Sequence, residues 1–435
     1  MAAFPAKALP HRMTEAGLAF LQALFRDCEP RDFAVRLWDG TTWSPEPGRG
    51  PAFVLAVHRP DALRRMFWPP TELALGEAYV RGDFDVEGDF ESAFALADHL
   101  TAFRPRLTER LALARLLLAL PPPGRAPSGD RAAPKLEGRL HSPERDRLAV
   151  TSHYDVSNAF YALWLDGRMV YSTGCFEAPD DDLETAQERK LDIVCRKLRL
   201  APGERFLDIG CGWGGLILHA ASRYGVRAVG ITLSRPQADF ANARIRAAGL
   251  SDRCRAEVRD YREMEEPGGF DKLASVGMFE HVGAARLPEY FGRAWRLLRP
   301  GGVFLNHAIA SSLAVPPRRG PSFVDRHVFP DGELLPVSAT LAAAESVGFE
   351  VRDAESLREH YVLTLRHWAA RLAANRDRAR LAAGETVYRT WRLYLTGSAY
   401  GFRIGRTSVF QALLCKPDGG RSGLPLTRAD WYATP

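Results

Sequence analysis

Three glycines spaced two residues apart follow an aspartate in Asp208-x-Gly210-x-Gly212-x-Gly214. The compact apolar segment Arg205-Phe206-Leu207-Asp208-Ile209 precedes the turn, and a helical stretch from Leu216 to Tyr224 follows it. Such glycines let backbone approach a ligand at a helix N-terminus, where N–H groups lack intrahelical partners. They can equally serve close packing of helix on strand. A nicotinamide enzyme would place Asp or Glu at the end of the next strand to hold the adenosine ribose. Here that strand ends Gly230-Ile231-Thr232-Leu233-Ser234, with no carboxylate, so a dinucleotide is the weaker choice. Asp260-Tyr261, after the third strand, offers an acceptor and a ring for an adenine, although Asp260 would also suit a turn cap. Glu280 comes directly after an apolar strand end, the edge where open sheets bind ligands. His281 competes with it, more as a brace for the loop. His307 sits inside an otherwise apolar strand, as a site residue or as a satisfied core histidine.

These residues need a scaffold, and beyond Ala201 the pattern alternates strand and helix. Strands are expected at Arg205 to Ile209, Val226 to Thr232, Arg255 to Val258, Phe270 to Val276 and Val303 to Ile309. Helices fall between them at Leu216 to Tyr224, Pro236 to Ala248 and Leu287 to Leu298. Alternation of this kind specifies an α/β fold, a parallel sheet with helices on both faces. Two further strands, near Phe349 to Val351 and Ser408 to Leu414, flank an Arg-rich helical insert at 357–395. Upstream, runs such as Phe33 to Leu37 and Phe53 to Val57 read as hairpins, then helices, so 1–120 forms a small α+β domain. A basic amphipathic helix from Leu107 to Leu120, carrying Arg110 and Arg115, leads into a Pro/Gly/Arg-rich linker at 121–138. That helix packs its apolar stripe on its own domain or presses on a membrane surface. The catalytic domain then spans 139–416 and a tail 417–435.

Composition agrees with two or three domains in 435 residues, at about 150 residues each. With 46% hydrophobic and 26% charged residues, wholesale disorder is excluded. The net charge of +5 is too mild for a nucleic-acid partner but suits weak attraction to anionic headgroups. Six scattered cysteines show neither zinc spacing nor a disulfide framework, which favours a reducing cytoplasm, and no metal site is expected. No window is long and apolar enough to span a bilayer. The apolar run Ala16 to Phe25 mimics a signal peptide, yet the Arg26-Asp27-Cys28-Glu29-Pro30 that follows is a poor cleavage region, so an amphipathic helix is expected there.

The glycine turn resembles motif I of class I S-adenosylmethionine-dependent methyltransferases, whose acidic position after the third strand corresponds to Asp260. The resemblance sharpens over five segments: His153-Tyr154-Asp155-Val156-Ser157-Asn158, Met169-Val170-Tyr171-Ser172, Leu207 to Gly215, Ser275-Val276-Gly277-Met278-Phe279-Glu280-His281-Val282-Gly283, and Leu305-Asn306-His307-Ala308-Ile309. Together they resemble the cyclopropane-fatty-acyl-phospholipid synthases. The fold this implies is a Rossmann-like class I methyltransferase sheet behind a small N-terminal domain. The implied activity is transfer of a methylene equivalent from S-adenosylmethionine to a cis double bond in a phospholipid acyl chain.

An unactivated alkene is a poor nucleophile, so the sulfonium methyl must meet its π face in the absence of water. The resulting carbocation must be stabilised and then deprotonated. Aromatic faces stabilise a cation without trapping it, and Phe279, Tyr361 and Phe402 are candidates. By resemblance, the base is a bound bicarbonate held by Glu280, His307 and Tyr361, with the backbone of Ile309 helping. The cofactor contacts implied are Tyr171, Ser172, Asp208, Gly210, Gly212, Gly214, Thr232, Gln237, Asp260 and Tyr261. Family members read Tyr-Ser-Cys-Ala where this chain has Tyr171-Ser172-Thr173-Gly174, so Thr173 takes the place of a cysteine beside the bicarbonate. Its hydroxyl remains a donor. The change can also mark a relative that methylates the acyl chain without closing a ring. A catalytically silent lipid-binding protein is a third reading, opposed by the intact glycine turn. The resemblance further implies a cytoplasmic enzyme peripheral to the inner face of the membrane, acting at the bilayer surface, and homodimerisation through the N-terminal domain.

Overall fold

A computed structural model of the chain describes residues 8–28, 31–48, 50–124, 138–154, 156–315, 320 and 322–431. Most of the linker expected at 121–138 lies outside the described residues, as do Asp155, the side chains of His153 and Tyr154, and the last four residues of the tail. The described residues form two compact units. One is drawn from Met1–Ala133, Arg318–His327 and Glu385–Gly397, the other from Pro134–Pro317, Val328–Gly384 and Ser398–Pro435.

The first unit carries a four-stranded sheet of β1 (Phe33–Arg36), β2 (Thr42–Trp43), β3 (Phe53–Val57) and β4 (Phe84–Gly88), in the order β2-β1-β3-β4. Only β1 with β2 and β3 with β4 pair antiparallel; β1 and β3 run parallel, which corrects the reading of 33–57 as hairpins throughout. After β2 the chain returns to the starting edge of β1 before entering β3, so the two strands point the same way. The segment resembling a signal peptide belongs to the helix Ala8–Leu24, whose Phe20, Leu21 and Leu24 pack with Phe33, Val35, Phe53 and Val57.

Helices Arg358–Ala374, Arg376–Ala383 and Glu385–Arg403 occupy the expected insert, but Glu385–Gly397 groups with the first unit, which the linear boundaries did not provide. Arg389 supplies a reason. Buried, it donates from Nε to the Tyr79 carbonyl at 2.7 Å and from Nη2 to the Phe84 carbonyl at 2.8 Å. It also pairs with Asp85 at 2.6 Å, and its guanidinium lies 4.3 Å from the centre of the Tyr79 ring.

The second unit is built on seven strands: β5 (Arg205–Ile209), β6 (Arg227–Thr232), β7 (Cys254–Val258), β8 (Phe270–Val276), β9 (Leu298–Ser311), β10 (Glu350–Ser356) and β11 (Thr407–Cys415). Their order is β10-β11-β9-β8-β5-β6-β7. Strands β5 to β9 pair in parallel, as alternation requires. β11 is antiparallel to both β9 and β10, a direction that the strand–helix alternation leaves unspecified. It enters between them after the long helical excursion, and an antiparallel neighbour needs no βαβ crossover. Helices Leu183–Leu198, Gly215–Tyr224 and Arg235–Ala247 cover one face, against Phe206, Ala274, Leu305 and Leu413. Leu287–Leu297 and Val337–Ser346 cover the other, against Leu207, Leu273, Phe304 and Phe410. Adjacent residues such as Phe206 and Leu207 thus feed opposite cores, the period-two rule of a strand buried on both sides.

Arg389→Met should lower stability by about 3 kcal/mol, because two buried carbonyls and Asp85 lose their donor. A shift of the chemical denaturation midpoint checks it; an unchanged midpoint would mean these contacts do not hold the segment.

Candidate active site

Strand order reverses between β5 and β8, and at that switch point the carboxyl ends of the strands leave a crevice. A cleft with about 570 Å³ of empty space lies there, lined among others by Tyr171, Ser172, Asp208, Gly210, Gly212, Trp213 and Gln237. The backbone N–H groups of Gly210 and Cys211 both donate to the Ile231 carbonyl at 2.9 Å, turning the chain away from the sheet. Gly210, Gly212 and Gly214 have φ of 87°, 52° and 81°, the left-handed region where glycine is at ease. They differ in what a side chain would meet. A Cβ at Gly210 would stand 2.6 Å from that of Met278, and one at Gly214 2.7 Å from that of Ala241; one at Gly212 would have nothing within 4 Å. Gly212 therefore opens onto ligand space. Gly214 does not line the cleft and acts as a packing residue capping the Gly215–Tyr224 helix.

Asp208 is buried, and its Oδ1 has no hydrogen-bond partner. Burial pushes its pKa up to about 7, against the pull of Lys190. Lys190, on the Leu183–Leu198 helix, also lines the cleft and donates from Nζ to Ser172 Oγ at 2.9 Å. Burial pushes its pKa down to about 8. On the same helix Gln187 donates to the Ser172 carbonyl at 2.8 Å, so Ser172 is clamped from both sides. The sequence reading missed Lys190. The signal was present: Leu183, Ala186, Gln187, Lys190, Leu191, Val194, Lys197 and Leu198 form one helical stripe, and a lysine on an apolar stripe is a lysine turned inward.

The remaining expected cofactor residues stand back from the cleft. Thr232 donates from Oγ1 to Gln237 Oε1 at 2.8 Å and so orients a residue that does line it. Asp260 accepts from Arg262 Nε at 2.9 Å and Nη2 at 2.6 Å, and from the Arg262 backbone N–H at 2.9 Å. Its hydrogen bonds are those of the turn cap that the sequence had left open. Tyr261 presents an edge-on contact to Tyr290, centroids 5.5 Å apart, away from the lining.

The second group lies where β9 ends and its antiparallel neighbour β11 begins. Glu280 is buried in a short 3₁₀ turn after β8, and Oε1 accepts from the Ile309 backbone N–H at 2.6 Å. Oε2 has no partner, and burial outweighs the Ile309 bond to push the pKa up to about 7. His307, two residues before Ile309 on β9, is buried, and burial together with two lysines pushes its pKa down to about 3. His281 behaves likewise, down to about 4, from burial first and His141 second. Tyr361 lies in the first turn of its helix, which is tied to the sheet by Leu357 N–H donating to the Val409 carbonyl at 2.8 Å; Val409 is the cross-strand partner of Ile309. Thr173 is fully buried, donates to the Gly174 carbonyl at 3.1 Å, and stands 3.4 Å from Thr364 Oγ1, one turn along from Tyr361. Cys175 is buried too, and burial pushes its thiol up to about 11, so it offers no nucleophile.

Aromatic rings connect the two groups. Phe402 to Tyr361 is 4.7 Å between centroids, Tyr361 to Trp368 is 5.9 Å, and Trp368 to Tyr171 is 5.3 Å. From Tyr171 the chain of rings continues through Tyr161 at 5.9 Å to Trp213, a further 4.9 Å away. Phe279 is not part of it; it packs on Tyr290 and Phe291 in the opposite core.

A sheet of this order with one reversed strand, and a glycine turn open at the end of its first parallel strand, define a class I S-adenosylmethionine-dependent methyltransferase. The cofactor's fit is supported by the cradle at Gly212, the spare acceptor of buried Asp208, and the rings of Tyr171 and Trp213. A family model described as mycolic acid cyclopropane synthetase matches residues 141–412, and the chain belongs to that family. Residues 20–100 match a domain of unknown function. The chain is 40% identical to a probable fatty acid methyltransferase of Pseudomonas putida, covering 92% of this chain and 95% of that one. It is 38% identical to a probable fatty acid methyltransferase of Mycobacterium tuberculosis, covering 86% and 89%. The solved cyclopropane synthase MmaA2 from Mycobacterium tuberculosis aligns with TM-score 0.59 at 32% identity, over 66% of this chain and 99% of that one. A mycolic acid cyclopropane synthase complexed with SAH and CTAB gives the same TM-score, 0.59, at 34% identity over 66% and 99%.

Two outcomes follow from the site's geometry. Gly212→Ala should cost only about 1 kcal/mol of stability, the strain of a left-handed alanine, yet weaken S-adenosylmethionine at least about tenfold. Gly214→Ala should instead lose about 2 kcal/mol through its clash; titration calorimetry and denaturant melts separate the pair, and reversed behaviour would move the cofactor. The second outcome concerns pH. Folding raises the Glu280 pKa from 4.5 to about 7, so its contribution is full below the unfolded value and lost as pH rises through the folded one. Glu280→Gln should therefore gain in melting temperature over the parent between about pH 5 and pH 8; a constant difference would show that Glu280 is ionised throughout.

Proposed function

We propose that the enzyme transfers a one-carbon unit from S-adenosylmethionine to a cis double bond of a phospholipid-bound unsaturated acyl chain, closing a cyclopropane ring. The observation that carries this reading is the run of rings from Trp213 and Tyr171 to Tyr361 and Phe402, joining the cofactor cleft to the Glu280 cluster. Such a wall excludes water and faces a transient cation with π electrons. When bound, S-adenosylmethionine supplies an electrophilic methyl group on a positive sulfur. Ser172, clamped by Lys190 and Gln187, and Gln237, oriented by Thr232, position it.

Proton removal falls to the second cluster. Bicarbonate would be held there by Glu280, whose Oε2 is buried with an open valence, together with His307 and Tyr361, and would supply a base. The Ile309 N–H already serves Glu280, so its help is indirect. A second reading, C-methylation without ring closure, draws on the same geometry: Thr173 donates inward to Gly174, leaving the anion fewer donors. The two relatives named as probable fatty acid methyltransferases favour it as well.

A lipid substrate calls for a lipid-facing surface. No described helix is long and apolar enough to cross a membrane. The helix Leu107–Leu118 instead shows Leu107, Leu111 and Leu118 at 72%, 57% and 60% exposure, on a stripe flanked by Arg110 and Arg115. That pattern suits an interface rich in anionic headgroups, and a peripheral position on the inner leaflet is part of the proposal.

Expression in a host without such enzymes, followed by proton NMR of its fatty acids, decides the product: ring protons for cyclopropanation, a vinyl or branched methyl for the alternative, neither if the reading fails. Glu280→Gln should keep cofactor affinity and lose turnover by about 100-fold. Leu111→Asp with Leu118→Asp should cut binding to anionic vesicles at least about tenfold, since each leucine buries roughly 1.5–3 kcal/mol. Undiminished vesicle binding would remove this helix from the membrane.

A further inference from the structure

A polar row crosses the sheet under the Leu183–Leu198 helix. Glu355 on β10 is the cross-strand partner of Gln411 on β11, which is the partner of His307 on β9. Lys197, 1% exposed, reaches the row from the helix. It donates to Glu355, and to Gln411 Oε1 at 2.7 Å. Gln411 Nε2 stands 3.2 Å from His307 Nδ1.

Donor and acceptor chemistry leaves one assignment for these atoms. An ammonium group only donates, so the amide must show Lys197 its oxygen and His307 its NH₂. An amide NH₂ also only donates, so Nδ1 of His307 must accept. The ring is neutral, held so by burial and by Lys190 and Lys197. A neutral imidazole that accepts at Nδ1 carries its proton on Nε2.

We propose that Lys197 and Gln411 are positioning residues that lock His307 in the Nε2–H tautomer, so that the site meets its anion with a hydrogen-bond donor. The inference rests on the reading of His307 as part of the deprotonation site. A ring with a bare Nε2 would repel bicarbonate's oxygens and compete with it for the proton. Charge alone would not secure this outcome, because a neutral histidine can present either face. The fixed orientation of one amide decides which.

The protein labelled with ¹⁵N-histidine provides the test, using long-range proton–nitrogen correlations, with His307→Gln identifying the signals among the eleven histidines. The parent should show a bare Nδ1 and a protonated Nε2 at His307. In Gln411→Glu the carboxylate accepts from Lys197 and draws the ring proton to Nδ1; kcat should fall at least about tenfold while KM for S-adenosylmethionine stays within about twofold. Lys197→Met frees the amide to turn and should give a mixture of tautomers, whereas Lys197→Arg keeps a donor and should restore the parental spectrum and rate. A parent already protonated at Nδ1 overturns the proposal, as does a Gln411→Glu enzyme that moves the proton without losing turnover. If Gln411→Glu does not fold, the Lys197→Met spectrum decides, and an unmixed Nε2–H form there removes Lys197 from the lock. Failure of the lipid reading would appear separately, as a parent that alkylates no acyl chain while its histidine spectrum still reports the tautomer.

Discussion

Taking an ammonium group out of water costs several kcal/mol unless acceptors meet it, and the helix Leu183–Leu198 does this twice. Lys190 and Lys197 are both 1% exposed, two turns apart on the stripe that lies against the sheet. Neither arrangement is stable without partners from other elements: Ser172 for one, Gln411 and Glu355 for the other. Each lysine thereby fixes a different part of the site, the first beside the glycine turn and the second under His307. The positive charge also reaches Asp208, whose burial would otherwise raise its pKa further. A single helix, through two residues that an apolar core would normally reject, braces both the glycine-turn cleft and the row that holds His307.

Much of the architecture could be read from the chain because burial on both faces leaves a plain record. Segments such as Val303-Phe304-Leu305 and Ala412-Leu413-Leu414 are apolar runs, and glycines such as Gly210 mark where the chain must turn through positive φ. β11 is legible as a strand but its direction is not, since direction depends on where a long excursion re-enters the sheet and leaves no local pattern. The parallel pairing of β1 with β3 was hidden for the same reason. Glu280 was legible through its position after a strand end. The partners that define its chemistry, Ile309 N–H on one oxygen and none on the other, were not, because they come from a residue 29 positions away. Lys190 and Lys197 do not stand out by residue type, because charge in a helical sequence normally signals a wet face; only their phase on the apolar stripe betrays them. Asp260 illustrates the converse, a residue type suited to a ligand whose oxygens are occupied by Arg262.

The two clusters differ in how they treat protons. Around the cofactor cleft, a buried acid with a pKa of about 7 and a buried amine near 8 stand close to neutrality and can share charge. In the second cluster the histidine is held neutral while Glu280 lies near 7, so only the carboxyl changes state over the physiological range. Rings that neither donate nor accept a proton at neutral pH separate them. The proposed division of labour, a cationic donor in one cluster and a base in the other, rests on this separation.

All six cysteines are buried, and burial lifts thiols such as Cys175 to about 11 and Cys254 to about 12. Thiolate, the form that oxidants and electrophiles attack, is almost absent from such groups. Peroxide or a reactive aldehyde would therefore find little thiolate to modify while the chain stays folded. Oxidation of these thiols is governed by how often the cores around them open, so a ligand that stabilises the fold protects even the cysteines that lie away from its cleft.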